Sequence, residues 1–193
     1  FIEKFVRDNC MENCLYAVRS SSNIEDSGDH SYAGMFETKL GVGKGELTQT
    51  ILEVMDISGN KRLDEFSKVV GKGSDIKVSV LVQRMVNSDV SGICFTINPA
   101  DNNREEIVIE AGLGIGELLV QNLVTPDCYT INKSSLEIKD KKVVAQHRKL
   151  VLDKPPKEEH IFVYTQKLAD QKIIELARQA REIEKMSSRP MDI

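Results

Sequence analysis

The spacing of hydrophobic and polar residues predicts a succession of short helices and strands. Apolar residues recurring every three or four positions predict helices over residues 1–13, 46–57, 60–70 and 170–185. Apolar runs and alternation predict strands over residues 15–18, 37–40, 76–86, 91–97, 106–111 and 128–132. An Asn-Ser-Asp turn separates two of these strands, residues 76–86 and 91–97, so we expect them to pair as an antiparallel hairpin.

Further along the chain, short apolar pieces alternate with charged connections. Residues 136–138 and 143–146 predict a meander that turns at Lys-Asp-Lys, and the charged, proline-containing residues 154–159 predict an exposed connection. The expected fold class is α+β, with a mostly antiparallel sheet flanked by helices.

Residues 15–40 carry the strongest candidate chemistry. A short apolar strand ends on Arg19, and three serines, Ser20 to Ser22, follow it. Guanidinium groups match phosphate oxygens, and hydroxyls with loop N–H groups can complete the shell, so this stretch is a candidate anion cradle. The alternative is a solvated serine-rich turn with a surface arginine, and spacing alone leaves both interpretations open.

Two glycine-rich segments resemble nucleotide loops without matching them. Gly41, Gly43 and Gly45 lack the spacing and the Lys-Ser ending of a P-loop, so we interpret them as a turn before a helix. In residues 112–116 the glycines fall at every second position, which is not the G-x-G-x-x-G of dinucleotide-binding domains. A Rossmann fold is therefore not expected.

Composition narrows the class of protein. The 193 residues carry a formal net charge of −4, which argues against a general nucleic-acid binder because phosphate backbones require clustered cations. No apolar run approaches the ~20 residues needed to cross a bilayer, and no signal-peptide pattern opens the chain. We therefore expect a cytoplasmic protein that binds neither nucleic acid nor membrane.

The four cysteines do not indicate a metal site. Cys10 and Cys14 fall on a predicted helix, and Cys94 and Cys128 fall singly in strand-like runs. There is no C-x-x-C pair and no histidine at zinc-ligand spacing, so buried, reduced thiols are expected.

Four motifs in fixed order then identify a family resemblance. VRSSSNIED followed by YAGMFET resembles the VRSSATAED…FAGQQET signature of the nucleotide-binding domain that phosphoenolpyruvate synthases (pyruvate, water dikinases) share with rifampicin phosphotransferases. VQRMVNSDVSGICFTINP, GIGELLVQNLVTPDCY and the final LADQKIIELARQAREIEKMSSRPMDI resemble the family's later blocks. The resemblance runs from about Leu15 to the last residue.

The resemblance implies an ATP-grasp fold, in which two α+β subdomains clamp ATP, with Mg²⁺, between their sheets. By resemblance, Arg19 contacts the phosphates and stabilises the charge that develops during transfer, which makes it the candidate catalytic residue. Asp192 matches the first acid of the family's D-I-E motif beside the metal. The remaining implied nucleotide-binding residues are Gly34, Met35, Phe36 and Thr38 in the loop over the phosphates, and Gln83 and Met85 beside the adenine and ribose.

The resemblance also implies an incomplete domain. Residues 1–193 would lack the amino-terminal subdomain, the end of the D-I-E motif, the swivelling domain whose histidine carries the phosphoryl group, and the acceptor domain. His30, His147 and His160 match no motif of that swivelling domain and are expected on the surface or in strands. We therefore expect little activity from the chain alone.

Several parent functions remain open at this point. The first is a dikinase that passes a phosphoryl group from ATP through a phosphohistidine to pyruvate. The second is a rifampicin phosphotransferase-like enzyme with an antibiotic hydroxyl as acceptor, and the third is a non-catalytic nucleotide-binding module. A pyruvate, phosphate dikinase is less favoured, because its loop typically reads VRSGA…MPGMMDT.

Overall fold

The chain divides into two compact units. The structure is a computed structural model that describes residues 1–22, 38–60 and 78–193. The first unit comprises Phe1–Val86 with Leu152–Pro156, and the second comprises Asn87–Val151 with Lys157–Ile193. The predicted helix over residues 60–70 lies outside the described residues, except for its first residue.

The first unit contains a three-stranded antiparallel sheet and two described helices. The strand order is β2-β1-β3, so β1 is central and pairs with both neighbours. Its elements are α1 (Ile2–Asn9), β1 (Leu15–Ser22), β2 (Thr38–Gly43), α2 (Lys44–Asn60) and β3 (Val78–Arg84).

One face of this sheet packs against the helices. Successive strand residues point to opposite faces, so Tyr16 and Val18 of β1 lie together on one side. They form a core with Leu47, Ile51 and Val54 of α2, all of which are at most 5% exposed. The other face of the sheet is the one that carries Arg19.

The second unit contains a four-stranded antiparallel sheet in the order β4-β5-β6-β7 and a separate two-stranded sheet of β8 and β9. Its strands are β4 (Val90–Phe95), β5 (Glu106–Leu113), β6 (Asp127–Asn132), β7 (Ile138–Lys142), β8 (Gln146–Val151) and β9 (Lys157–Val163). Its helices are α3 (Glu117–Val120) and α4 (Asp170–Ser187).

The predicted long helix is confirmed as α4. Its apolar face buries Ile173 and Ala177 against Ile109 and Tyr129 of the sheet. The helix ends where Ser188 adopts a left-handed conformation, with φ 56°. None of the helices that the structure describes is long and apolar enough to cross a membrane.

The strand pairings are all antiparallel among the described residues, as expected, but two predicted connections are wrong. The strands predicted to form a hairpin over residues 76–97 belong to different sheets, since β3 pairs with β1 and β4 pairs with β5. The predicted meander is also wrong: Lys139, Asp140 and Lys141 lie inside β7 rather than at a turn. Alternation identifies a strand and its faces, whereas the partner depends on contacts distant in sequence.

Three smaller expectations also need correction. Gly41 and Gly43 lie within β2 and Gly45 lies within α2, so the predicted turn is absent and strand joins helix directly. The predicted connection over residues 154–159 is shorter, because β9 begins at Lys157. Helix α1 ends at Asn9, so Cys10 and Cys14 are not helical.

The thiols and the described histidines largely behave as expected. All four cysteines are free, Cys10 is buried, and burial raises the pKa of the Cys94 thiol to about 11. His147 and His160 are exposed residues of β8 and β9. His30 lies outside the described residues.

Candidate functional site

Arg19 lies on the face of the first unit's sheet that points away from the helical core. Strand alternation places Tyr16, Val18 and Ser20 on the core side and Arg19 and Ser21 on the open side. Arg19 and Ser21 are exposed, whereas Ser20 is only 6% exposed. The strand therefore does not end at Arg19 as expected, because β1 continues through Ser22, and Ser20 points away from the guanidinium. The loop that would complete the anion cradle lies outside the described residues, so the cradle stays a prediction.

Two other predicted site residues share the open face with Arg19. Thr38 of β2 is the direct cross-strand partner of Arg19, and Gln83 of β3 is the partner of Ala17, two residues away on β1. Cross-strand partners point to the same face of a sheet. Arg19, Thr38 and Gln83 are all exposed, so the sheet presents a guanidinium, a hydroxyl and an amide on one surface.

Met85 lies next to this surface, just beyond β3. Its backbone N–H donates to the Leu15 carbonyl oxygen at 2.8 Å, which continues the pairing of β3 with β1. Its Sδ accepts a hydrogen bond from the Gly41 N–H at 3.1 Å. The thioether is therefore held over the sheet rather than extended into solvent.

Among the described residues, nothing pairs with the positive charge that Arg19 places on the open face. Throughout residues 1–22, 38–60 and 78–193, no hydrogen bond or ion pair involves the Arg19 guanidinium. Its cross-strand neighbours contribute no carboxylate, since they are Thr38 and Leu81. A guanidinium can donate two parallel hydrogen bonds to a phosphate or a carboxylate.

Three other predicted site residues, Gly34, Met35 and Phe36, lie outside the described residues. Their placement over the nucleotide phosphates stays a prediction.

Asp192 belongs to the second unit, where the end of the chain adds to the edge of β4. Ile193 exchanges two backbone hydrogen bonds with Cys94, at 2.9 and 3.0 Å, and Asp192 bridges Phe95. The Asp192 side chain is exposed. Among the described residues no three His, Cys, Asp or Glu side chains are grouped to hold a metal ion, so Asp192 could supply only one ligand of a shared site.

The glycine segment after β5 is occupied by structural contacts. The Gly114 N–H donates to the Asp89 carbonyl oxygen, and the Ile115 N–H donates to that of Leu150, both at 2.8 Å. The Leu113 N–H donates to Oε1 of Gln146, also at 2.8 Å. These amides cannot also hold a phosphate, which agrees with the expectation that this segment is not a dinucleotide loop.

Sequence reasoning missed Gly41, the residue that holds the Met85 sulfur. Its signal was present, because a glycine that interrupts a strand pattern often marks a bulge or a close backbone approach. We instead interpreted Gly41 as part of a turn before a helix.

Comparison with known proteins supports a nucleotide site. The model of the pyruvate phosphate dikinase AMP/ATP-binding domain matches residues 1–193. The phosphoenolpyruvate synthase of Pyrococcus furiosus is 36% identical to this chain over an alignment of 196 positions, which covers 94% of this chain and 24% of that protein. The rifampicin phosphotransferase of Bacillus subtilis is 35% identical over 187 residues, which covers 94% of this chain and 22% of that protein.

A third relative is more distant. The probable phosphoenolpyruvate synthase of Methanocaldococcus jannaschii is 33% identical over 184 residues, which covers 92% of this chain and 16% of that protein. The chain thus spans about a quarter or less of the length of these curated relatives. Because the family model matches its whole length, the chain belongs to the pyruvate phosphate dikinase AMP/ATP-binding domain family.

Proposed function

We propose that the chain is the ATP-binding part of a phosphoenolpyruvate synthase-like dikinase with an ATP-grasp fold. The parent enzyme transfers a phosphoryl group from ATP to a histidine on a separate domain, and from there to pyruvate. The chain's match to about a quarter of the length of named phosphoenolpyruvate synthases supports such a larger parent.

The observation that carries this proposal is the arrangement of Arg19, Thr38 and Gln83 on one exposed face of the sheet. The Arg19 guanidinium, which has no partner among the described residues, and the adjacent Thr38 hydroxyl offer charged and neutral donors to phosphate oxygens. The Gln83 amide, on the same face, can both donate to and accept from a base or a ribose. One surface therefore offers groups for both ends of a nucleotide.

In this proposal Arg19 holds the phosphates and compensates the negative charge that accumulates on the transferred phosphoryl group. Phosphoryl transfer depends mostly on positioning and on electrostatic stabilisation, so a fixed cation is the main contribution a single side chain can make. Mg²⁺ supplies further charge neutralisation on the phosphates when bound. Asp192 would supply one oxygen ligand for that ion, since its exposed carboxylate is of the kind that Mg²⁺ prefers.

A rifampicin phosphotransferase-like parent is the second candidate. The Bacillus subtilis rifampicin phosphotransferase is 35% identical to the chain, against 36% for the Pyrococcus phosphoenolpyruvate synthase. Both candidates assign the same ATP site to this chain, and they differ in the acceptor alone. Incubating the full-length polypeptide with ATP and either pyruvate or rifampicin, and identifying the phosphorylated product, distinguishes them.

Calorimetric titration with Mg-ATP tests the shared ATP site. We expect clear binding to the full-length polypeptide that contains this chain and weak binding to residues 1–193 alone. Arg19→Ala should weaken binding between about tenfold and a hundredfold, the effect of losing hydrogen bonds to a charged group. The matched control is Arg84→Ala, since Arg84 is an exposed arginine of β3 that pairs with Tyr16 on the opposite face.

Two results would contradict the proposal. Full-length protein that does not bind Mg-ATP would leave a degenerate or structural module as the better account. Equal losses with Arg19→Ala and Arg84→Ala would show that binding depends on general positive charge rather than on the open face.

A further inference from the structure

Strand β2 contains a bulge opposite the centre of β1. The register pairs Tyr16 with Val42 and Val18 with Lys39, so two residues of β2, Leu40 and Gly41, face Ala17 alone. Gly41 adopts a left-handed conformation with φ 72°. A bulge leaves one residue outside the ladder of hydrogen bonds, and its N–H is then free for another acceptor.

The acceptor is the thioether of Met85, on the far side of β1. The Met85 backbone pairs with Leu15, whereas its Sδ lies 3.1 Å from the Gly41 nitrogen on β2. Its side chain must therefore cross the open face of β1 at the level of Ala17. Ala17 is only 7% exposed although it shares this face with the exposed Arg19, as expected for a residue covered from above.

Position 41 has no room for a side chain. A Cβ atom built there would lie 2.6 Å from the Asp153 carbonyl oxygen and 2.6 Å from Cδ of Pro156. Those two residues belong to Leu152–Pro156, which is part of the first unit. An ion pair of 3.0 Å links Lys154 of this segment to Glu46 of α2. The close approach of this segment excludes a side chain at position 41, and the left-handed φ also favours glycine.

We propose that Gly41 is a positioning residue of the nucleotide site, which fixes the Met85 thioether where a purine base contacts the open face. This inference rests on the proposed ATP site. A thioether offers a polarizable apolar surface that packs well on an aromatic ring, but an unbranched side chain needs restraint to stay in one place. The bulge amide supplies that restraint, and the Leu152–Pro156 segment fixes the bulge.

A double-mutant cycle on Mg-ATP affinity in the full-length polypeptide tests this role. Met85→Leu keeps the volume but removes the hydrogen-bond acceptor, and Gly41→Ala displaces the bulge. Each should weaken Mg-ATP binding about fivefold, the effect of losing one modest hydrogen bond. Because both changes break one interaction, the double variant should bind about as well as either single variant. Gly45→Ala is the matched control, since a Cβ at Gly45 meets nothing within 4 Å.

A second measurement does not depend on Gly41→Ala folding. In wild-type protein the Gly41 amide should exchange slowly with solvent, and Met85→Leu should accelerate that exchange. The ¹³C-methyl resonance of Met85 should also shift when Mg-ATP is added. The inference is overturned if the Gly41 amide exchanges at the same rate in Met85→Leu as in wild type. It is also overturned if the Met85 methyl resonance does not shift when Mg-ATP binds.

The outcomes separate this inference from the proposed function. If Arg19→Ala weakens Mg-ATP binding while Gly41→Ala and Met85→Leu act additively or not at all, the ATP site stands and the positioning role is wrong. If wild-type protein binds no Mg-ATP, the proposed function itself fails, and the positioning role fails with it.

Discussion

Two cations, Arg19 in the first unit and Lys167 in the second, differ in their surroundings. Arg19 lies exposed on the open face of the first unit's sheet, and no described residue pairs with it. Lys167 of the second unit has a side chain only 1% exposed, and its Nζ lies 2.9 Å from Oδ1 of Asp127, which is fully buried. The Lys167 ammonium is thus paired inside the protein, whereas the Arg19 guanidinium has no partner among the described residues.

The buried carboxylate of Asp127 is surrounded by hydrogen-bond donors. The Asp127 carboxylate accepts hydrogen bonds from the Val144 N–H, the Lys167 N–H and the Tyr129 hydroxyl, at 3.0, 2.9 and 2.8 Å. Burial alone would raise the pKa of Asp127, but these hydrogen bonds and that of the Lys167 ammonium outweigh it and hold the pKa below its usual range. This cluster ties β6 to the segment before α4, and its role is structural.

The difference suggests how to tell the two roles apart. A buried ion whose partners all come from the protein has nothing left to offer a ligand. A cation held by a rigid strand, with no acid across from it, can still bind an anion. Mutation of the buried ion pair should therefore lower the stability of the protein, whereas mutation of Arg19 should lower its nucleotide affinity.

The largest expected effect on stability comes from Asp127→Asn. This change keeps the shape of the side chain but leaves the Lys167 ammonium buried without a counter-charge, which should lower the free energy of unfolding by about 3–5 kcal/mol. Urea unfolding followed by circular dichroism measures it. Asp140→Asn, an exposed acid on the neighbouring strand β7, should change stability by less than about 0.5 kcal/mol.

A double variant sharpens this result. Asp127→Asn with Lys167→Met removes both charges and should recover part of the lost stability. If Asp127→Asn alone unfolds no more easily than Asp140→Asn, the contrast between the two cations is wrong.

Low pH should act on the same ion pair. Because the folded-state pKa of Asp127 lies below its unfolded value of about 4, the stability it contributes is present above that pH and is lost as the pH falls through the folded pKa. Acid unfolding of the wild type should therefore include a contribution from this residue. Asp127→Asn should flatten the dependence of unfolding free energy on pH below about 4.

Tyr129→Phe should have a smaller effect, of about 1–3 kcal/mol, because it removes one donor from the buried carboxylate. Burial and the hydrogen bond to Asp127 raise the pKa of Tyr129 to about 12. Its contribution to stability is thus present below the unfolded pKa of about 10 and is lost as the pH rises towards 12.

Unfolding curves between neutral and alkaline pH check this prediction. In Tyr129→Phe the free energy of unfolding should depend less on pH in the alkaline range. The control Tyr164→Phe, at a residue 66% exposed, should keep the pH dependence of the wild type. If the free energy of unfolding depends on alkaline pH equally in wild type and in Tyr129→Phe, the prediction for Tyr129 is wrong.

The smallest expected effect on stability is that of Arg19→Ala, within about 0.5 kcal/mol, since the side chain is exposed and unpaired among the described residues. The same variant should lose nucleotide affinity. A destabilisation as large as that of Asp127→Asn would mean that Arg19 has a structural partner. It would contradict the proposed difference between the two cations.

Sequence reasoning found the elements better than their partners. The long helix was predictable because its apolar face repeats every three to four residues over the whole of α4. The pairing of β3 with β1 was not, because alternation does not specify which strand lies alongside. The Asp127–Lys167 pair was also missed, since its residues are 40 positions apart and neither carries a local pattern.

The candidate site shows the same division. Motif resemblance selected Arg19, Thr38 and Gln83, and strand alternation then accounts for their common face. The bulge at Gly41 depends on contacts with Leu152–Pro156, more than a hundred residues further along the chain. No local sequence pattern contains that information.

The most direct test of the central claim is a crystal structure of the full-length polypeptide with Mg²⁺ and a non-hydrolysable ATP analogue. We predict phosphate oxygens within about 3 Å of the Arg19 guanidinium, the distance of a charge-assisted hydrogen bond. We also expect the base to lie against Gln83 and Met85. A nucleotide bound elsewhere, with Arg19 still in solvent, would contradict this claim.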